Sequence, residues 1–256
     1  MPVRPKKALG QHFLADQGVA RAIVDTLQAK GPVLEVGPGT GVLTQYLLRR
    51  PDTELKVVEV DSESVAYLLE HYPALGPGLY EADFLRMDLT KLFQGGFAII
   101  GNFPYNISSQ IFFKILDCRD LVPEVVCMIQ KEVAERIAEK PGTKTYGILS
   151  DFLQAWYDIE YLFTVGPGAF NPPPKVHSAV IRLTRNSRTS LDCDEKLFRT
   201  VVKTAFGQRR KTLRNSLKPV LSQAQEPNST TDPIFDLRPE RLSVEDFIRL
   251  TRMIQG

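Results

Sequence analysis

Five short apolar runs dominate the first half of the chain, at 33–36, 55–60, 78–82, 97–101 and 125–129. Each is too short for a buried helix and lacks the alternation of a half-exposed strand, so each reads as a strand covered on both faces. Stretches with helical spacing lie between them, at roughly 41–50, 62–71, 108–116 and 131–138. Another precedes them, in which Val19, Ile23, Val24 and Leu27 recur at helical spacing before Gly31-Pro32 stops the pattern. This alternation predicts an open, mostly parallel α/β sheet, because parallel neighbours need a crossover that is usually helical. After a helix expected at 146–156, the runs 158–165 and 178–184 read as two strands joined by a loop rich in Pro and Gly, with no helix between them. That arrangement predicts an antiparallel addition at the sheet edge.

The texture changes again beyond 186, with a polar stretch and then helices expected at 194–206, 209–217 and 243–254, the last capped by Ser243. A polar segment with Pro227 reads as a loop. The expected domains are therefore 1–185 and a small helical 186–256. With 256 residues, 43% hydrophobic and 24% charged, the chain can bury a core without a metal or disulfide staple. Cys118, Cys127 and Cys193 are odd in number and show no metal-ligand spacing, which predicts free thiols and no metal site. Arg4, Lys6 and Lys7 lead into Gln11-His12 rather than a signal-peptide core, and no apolar run approaches the roughly 20 residues of a membrane span. The reading is a cytoplasmic protein with no membrane partner, and nothing suggests an obligate dimer, so a monomer is expected. The net charge of +2 is uninformative, but Arg209, Arg210, Lys211, Arg214 and Lys218 cluster without an acid among them.

The first apolar run ends in Glu35-Val36-Gly37-Pro38-Gly39-Thr40-Gly41. Its glycines permit a tight turn with close approach to a ligand, and a helix N-terminus behind them would favour a carboxylate. Val42 stands where a GxGxxG loop has its last glycine, which weakens a dinucleotide reading. Glu35 resembles the acid of the first motif of class I methyltransferases. Glu59 ends the second run and can accept hydrogen bonds from ribose hydroxyls, with Asp61 its rival or a helix cap. Asp83 ends the third run and can accept from an adenine amino group, with Phe84 beside the ring. For each acid alone, a solvated strand end is the other reading.

Asn102-Phe103-Pro104-Tyr105 follows the fourth run. The residue types suit methyl transfer to a planar amino group. The lone pair of adenine N6 is delocalised into the ring, and two acceptors near its hydrogens would turn it toward a nucleophilic geometry. The Asn102 side-chain oxygen and the Pro104 carbonyl are the candidates. Tyr105 can stack on a flipped base. A sulfonium methyl donor needs neither a metal nor a strong base, so catalysis would rest on positioning and electrostatics. The bland alternative is a strand followed by an Asx/Pro turn.

Lys7-Ala8-Leu9-Gly10-Gln11-His12-Phe13-Leu14, the loop 35–41, Asn102-Phe103-Pro104-Tyr105-Asn106-Ile107-Ser108 and the segment 165–178 together resemble the rRNA adenine dimethyltransferases. The resemblance runs from about residue 6 to 254. It implies a class I, Rossmann-like methyltransferase with one antiparallel edge strand and a small helical RNA-binding domain, using S-adenosylmethionine. Cofactor contacts are implied at His12, Leu14, Gly37, Glu59, Asp83 and Asn102, to which the loop and strand-end readings add Gly39 and Phe84. His12 stands where many relatives have asparagine, and Phe103 where many have leucine. Phe170 is implied on the face of the target base opposite Tyr105, with plain packing its other reading. Lys175 reads either as a phosphate contact or as a solvated strand end. Arg209, Arg210, Lys211 and Arg214 are expected to meet RNA, with Arg210 and Arg214 on one helix face. The late loop and C-terminal segment favour the branch that dimethylates two adjacent adenosines in the 3′-terminal hairpin of 16S rRNA, in the small ribosomal subunit or its precursor. A large-subunit enzyme of the antibiotic-resistance type, a ribosome-assembly binding factor and a nicotinamide oxidoreductase are the alternatives.

Overall fold

A computed structural model describes residues 3, 6, 12–222 and 230–256. Arg4, the Lys7-Ala8-Leu9-Gly10-Gln11 part of the lead-in motif and Pro227 lie outside the described residues. A short strand, β1 (Phe13–Leu14), precedes α1 (Gln17–Thr26). α1 starts where the Asp16 carboxylate accepts from the Val19 amide at 3.0 Å, and it buries Ala20, Ile23 and Val24. Then follow β2 (Gly31–Val36), α2 (Thr44–Leu47), β3 (Thr53–Glu59), α3 (Ser62–His71), β4 (Leu79–Glu81), β5 (Ala98–Asn102), α4 (Ser108–Asp117), β6 (Glu124–Gln130) and α5 (Lys131–Ala138). The chain continues through α6 (Ile148–Gln154), β7 (Tyr157–Val165), β8 (Phe170–Asn171) and β9 (Ser178–Arg185). It ends in α7 (Glu195–Gly207), α8 (Leu213–Ser216), α9 (Lys218–Leu221) and α10 (Val244–Gln255).

Seven strands form one sheet in the order β4-β3-β2-β5-β6-β9-β7, and β1 pairs with β8 in a separate ribbon. β4, β3, β2, β5 and β6 are parallel neighbours. β9 runs antiparallel to β6 from Glu124↔Thr184 to Gln130↔Ser178, and β7 lies outside it as the outermost strand. Three of the five runs behave as both-face-buried strands should: Val33, Leu34, Ala98, Ile99, Ile100, Val125 and Val126 are all sealed from solvent. The expectation is corrected for the run at 78–82, where β4 is an edge strand and none of its residues is buried, and for the first half of β3, which is only partly covered. The chain builds outward from β2 to β4 and then crosses back to β5, so the order reverses between β2 and β5. Open α/β sheets take their ligands at the carboxyl ends of the strands beside such a reversal.

The chain divides into two compact units, 135–157 with 186–256 forming the second. The expectation of one domain over 1–185 is thus corrected, because the segment Glu135–Tyr157 belongs with the C-terminal helices. Its aromatic residues pack there: Tyr146 lies 6.2 Å from Phe206 and Phe152 lies 6.1 Å from Phe198, between ring centres. The helix expected at 209–217 is also corrected. α7 stops at Gly207, residues 208–212 turn, and α8 begins at Leu213, whose amide donates to the Leu237 carbonyl at 2.8 Å. Among the described residues no helix is long and apolar enough to cross a membrane.

Asp151 on α6 is fully buried. The Tyr146 hydroxyl donates to its Oδ1 at 3.1 Å, while Oδ2 has no partner among the described residues. Burial, partly offset by that hydrogen bond, lifts the carboxyl to about 8. The folded state therefore keeps a proton that the unfolded state releases. Its stabilising contribution is full below the ordinary aspartate range and is lost as pH rises through about 8. Melting curves across that window are expected to fall with pH in the natural protein and to fall less in Asp151→Asn. An identical slope in the two proteins would show that Asp151 is ionised throughout.

Candidate active site

A cavity of about 300 Å³ opens at the carboxyl ends of β2, β3 and β5, within the size range of small-molecule sites. His12, Leu14, Gly37, Gly39, Glu59, Asp83, Phe84, Asn102, Pro104 and Tyr105 all line it. The structure therefore brings together every cofactor residue expected from the sequence and three of the four expected catalytic ones.

Gly37, Gly39 and Gly41 adopt φ values of 69°, 57° and 83°, a backbone that only glycine takes without strain. A Cβ on Gly39 would meet the Phe13 ring at 2.9 Å, and one on Gly41 would meet Tyr72 at 2.4 Å. The amides of Gly37, Gly39 and Gly41 are engaged internally, by the Val58 carbonyl, the Glu59 carboxylate and the Pro38 carbonyl. α2 is a single turn that starts beyond the loop, and none of the three glycine amides is left to meet an anion. The glycines shape the cavity instead of donating into it.

Glu59 is 4% exposed and accepts from the amides of Gly39 (3.0 Å), Val60 (2.8 Å) and Asp61 (2.9 Å). Burial raises its carboxyl above the usual range against those three hydrogen bonds. Three donors leave lone-pair capacity on a carboxylate for a ligand hydroxyl. Asp61 is excluded as the rival. It is held by Lys6 and by the Ser64 hydroxyl at 3.0 Å, and although burial alone would raise its carboxyl, these partners keep it below the ordinary range. Asp83 uses Oδ1 to accept from the Leu85 amide at 2.9 Å and keeps Oδ2 3.5 Å from Arg86. Glu35 lines the floor, accepts from Thr44 Oγ1 at 2.6 Å and is lifted to about 8 by burial, with the neighbouring Glu59 adding to the rise.

At the cavity mouth the Asn102 side-chain amide donates to the His12 backbone carbonyl at 3.1 Å. The His12 ring stacks on Tyr105, centres 5.4 Å apart and planes at 29°, with Nδ1 3.2 Å from the Pro172 carbonyl. The Tyr105 hydroxyl is 2.5 Å from Ser178 Oγ. Burial raises the Tyr105 phenol, partly offset by that contact. Phe170, expected across the target base from Tyr105, does not line the cavity. The register Leu14↔Phe170 turns it into the core beside Leu14, and it is only 4% exposed.

The basic residues divide in two. Arg209 donates to the Tyr146 carbonyl at 2.8 Å, and Arg214 is tied to Asp236 (2.8 Å) and the Thr230 carbonyl (2.6 Å). Both brace the second unit. Arg210 and Lys211 are exposed, and their side chains have no partner among the described residues. Because 208–212 is a turn, Arg210 and Arg214 do not share a helix face as expected. Sequence reasoning missed Ser178, whose link to Tyr105 spans 73 residues, and Val60, an apolar side chain 53% exposed on the cavity wall. An apolar residue directly after Glu59 was the available signal for Val60. Among the described residues no His, Cys, Asp and Glu cluster could hold a metal ion.

A doubly wound sheet with this strand order, a glycine loop after its central strand and acids at the two following strand ends defines a class I methyltransferase. The ribosomal RNA adenine dimethylase family matches residues 3–255, and the chain belongs to it. It is 61% identical to ribosomal RNA small subunit methyltransferase A of Bacteroides thetaiotaomicron over 99% of this chain and 95% of that protein. The protein of the same name from Parabacteroides distasonis is 60% identical, with the same coverage. Among solved structures, a dimethyladenosine transferase from Plasmodium falciparum superposes with a TM-score of 0.78 at 26% identity, covering 93% of this chain and 96% of that one. The 23S rRNA methyltransferase ErmE shares the fold, with a TM-score of 0.66 at 24% identity over 95% of this chain and all of that one.

Gly101 sets the position of Asn102. A Cβ on it would lie 2.4 Å from the Val36 carbonyl oxygen and 3.1 Å from the Phe103 ring. Gly101→Ala is expected to cost about 1–3 kcal/mol by overpacking, read from the denaturant midpoint. An unchanged midpoint would mean that β2 and β5 separate freely.

Proposed function

We propose that this protein transfers methyl groups from S-adenosylmethionine to N6 of adenosines in 16S rRNA, to the dimethylated state. The observation that carries the reading is the orientation of Asn102. One hydrogen of its NH₂ group goes to the His12 carbonyl, which turns that end of the side chain toward His12, and its oxygen accepts no hydrogen bond among the described residues. A planar amino group brought to that oxygen is bound through a hydrogen, which draws nitrogen toward the geometry in which its lone pair is available. The Pro104 carbonyl, the expected second acceptor, already takes the Ile107 amide at 3.3 Å. Its second lone pair stays open to a ligand; Phe103 lines the same cavity and its carbonyl accepts no hydrogen bond among the described residues, which makes it a second candidate for the role.

When bound, S-adenosylmethionine supplies a methyl group on a positively charged sulfur. The donor set suits that molecule: Glu59 for ribose hydroxyls, Asp83 for an adenine amino group, Phe84 and Val60 as apolar walls, and His12, Leu14, Gly37 and Gly39 shaping the remainder. A positively charged ligand would in turn favour the ionised form of the buried carboxyls. Tyr105, fixed by Ser178, gives the target base a stacking surface. No side chain need remove the proton before transfer, because it is released once nitrogen becomes cationic. Catalysis then rests on positioning and electrostatics.

The names of the relatives support ribosomal RNA of the small subunit as substrate. The finer reading is two adjacent adenosines of the 3′-terminal hairpin, met within the small subunit or its precursor by a cytoplasmic monomer, with Arg210 and Lys211 on phosphates. Purified, undermethylated small subunits incubated with the protein and S-adenosylmethionine are expected to yield N6,N6-dimethyladenosine on nucleoside analysis. Modification confined to large-subunit RNA would overturn this. Asn102→Ala is expected to lower the transfer rate at least about 10³-fold while RNA affinity stays within about twofold. Full activity would reject the acceptor role.

A further inference from the structure

Beside the cavity lies a groove of about 980 Å³. The two share the His12 and Tyr105 walls, and the groove continues over Gln130, Pro172, Pro173 and Lys175. Its rim is preformed. The Leu14↔Phe170 pairing fixes the start of the proline turn, the Lys131 amide donates to the His177 carbonyl at 2.9 Å at its end, and His12 Nδ1 meets the Pro172 carbonyl between. Pro172 and Pro173 present exposed rings, and Val176 beside them is 42% exposed. Lys175 is exposed and has neither an ion pair nor a hydrogen bond among the described residues. The groove thus joins flat apolar surface, one uncommitted cation and a half-buried side-chain amide, directly against the mouth of the cavity.

A polymeric substrate must cross the rim when one of its bases enters the cavity, since the neighbouring nucleotide stays covalently attached. On the reading given above, we propose that the groove seats the nucleotide next to the target adenosine. Its base lies against Pro172 and Pro173, the linking phosphate meets Lys175, and His12, stacked on Tyr105, separates the two bases. Single-stranded RNA is held in this manner elsewhere, by flat surfaces under bases and cations at phosphates.

The test compares the natural protein with Lys175→Ala and Lys175→Arg, using undermethylated small subunits and saturating S-adenosylmethionine. Lys175→Ala is expected to raise the KM for the subunits about fivefold and to lower the salt slope of binding by about one phosphate's worth. The KM for S-adenosylmethionine and the melting temperature should not move, and Lys175→Arg should restore both changed quantities. An unchanged KM and salt slope in Lys175→Ala, with the natural protein active, overturns the groove and leaves the reaction standing. A raised KM with an unchanged salt slope points to a protein segment in the groove and also overturns it. Absence of transfer by the natural protein itself instead sinks the reading on which the groove rests.

Discussion

The hydrogen bond from the Asn102 amide to the His12 carbonyl joins two parts of the chain separated by 90 residues. Asn102 ends β5, one of the two strands at the point where the strand order reverses. His12 precedes β1, which is itself clipped to β8. The bond therefore fastens His12, and through it the proline turn, to the end of a strand whose other residues are buried. It also settles which end of the side chain faces the cavity. A single interaction both closes the wall and presents the acceptor, so the chemistry depends on the same contact that holds the wall in place.

The acids beneath that wall are placed at a cost. Glu35 and Glu59 are both nearly sealed from water, and burial pushes both carboxyls upward. Glu59 is compensated by three backbone amides, one of them from the glycine loop, so the loop and the acid hold each other in shape. Glu35 has the Thr44 hydroxyl. A cationic ligand entering the cavity would relieve this frustration, whereas a dinucleotide phosphate would aggravate it.

Much of the fold was legible because parallel strands buried on both faces leave a continuous apolar run and the helices between them leave a period. α3 and α5 fall at the expected residues for that reason. What escaped lay where tertiary contacts override local pattern. Glu135–Tyr157 follows β6 in sequence, yet its aromatic residues are completed only by Phe198 and Phe206. The basic segment has a helical spacing of cations, but Gly207 and the Leu213–Leu237 hydrogen bond break it into a turn. Glu59 and Asn102 could be placed at the cavity from sequence because each ends an apolar run at the carboxyl end of its strand. Ser178 was not, because nothing in the sequence pairs it with Tyr105.

Phe170 shows where a resemblance and a structure part. The motif places an aromatic residue in the proline turn, and spacing cannot say which way it points. Pairing β8 with β1 decides it, since residues on an antiparallel ribbon alternate in direction and Leu14 must face the core. Phe170, opposite Leu14, goes inward with it, and the turn's outer surface is left to prolines, Val176 and Lys175. The buried phenylalanine anchors a rim, and the ring lying on Tyr105 is that of His12. The imidazole of His12 thus supplies a stacking contact on Tyr105 that a non-aromatic side chain at this position could not make.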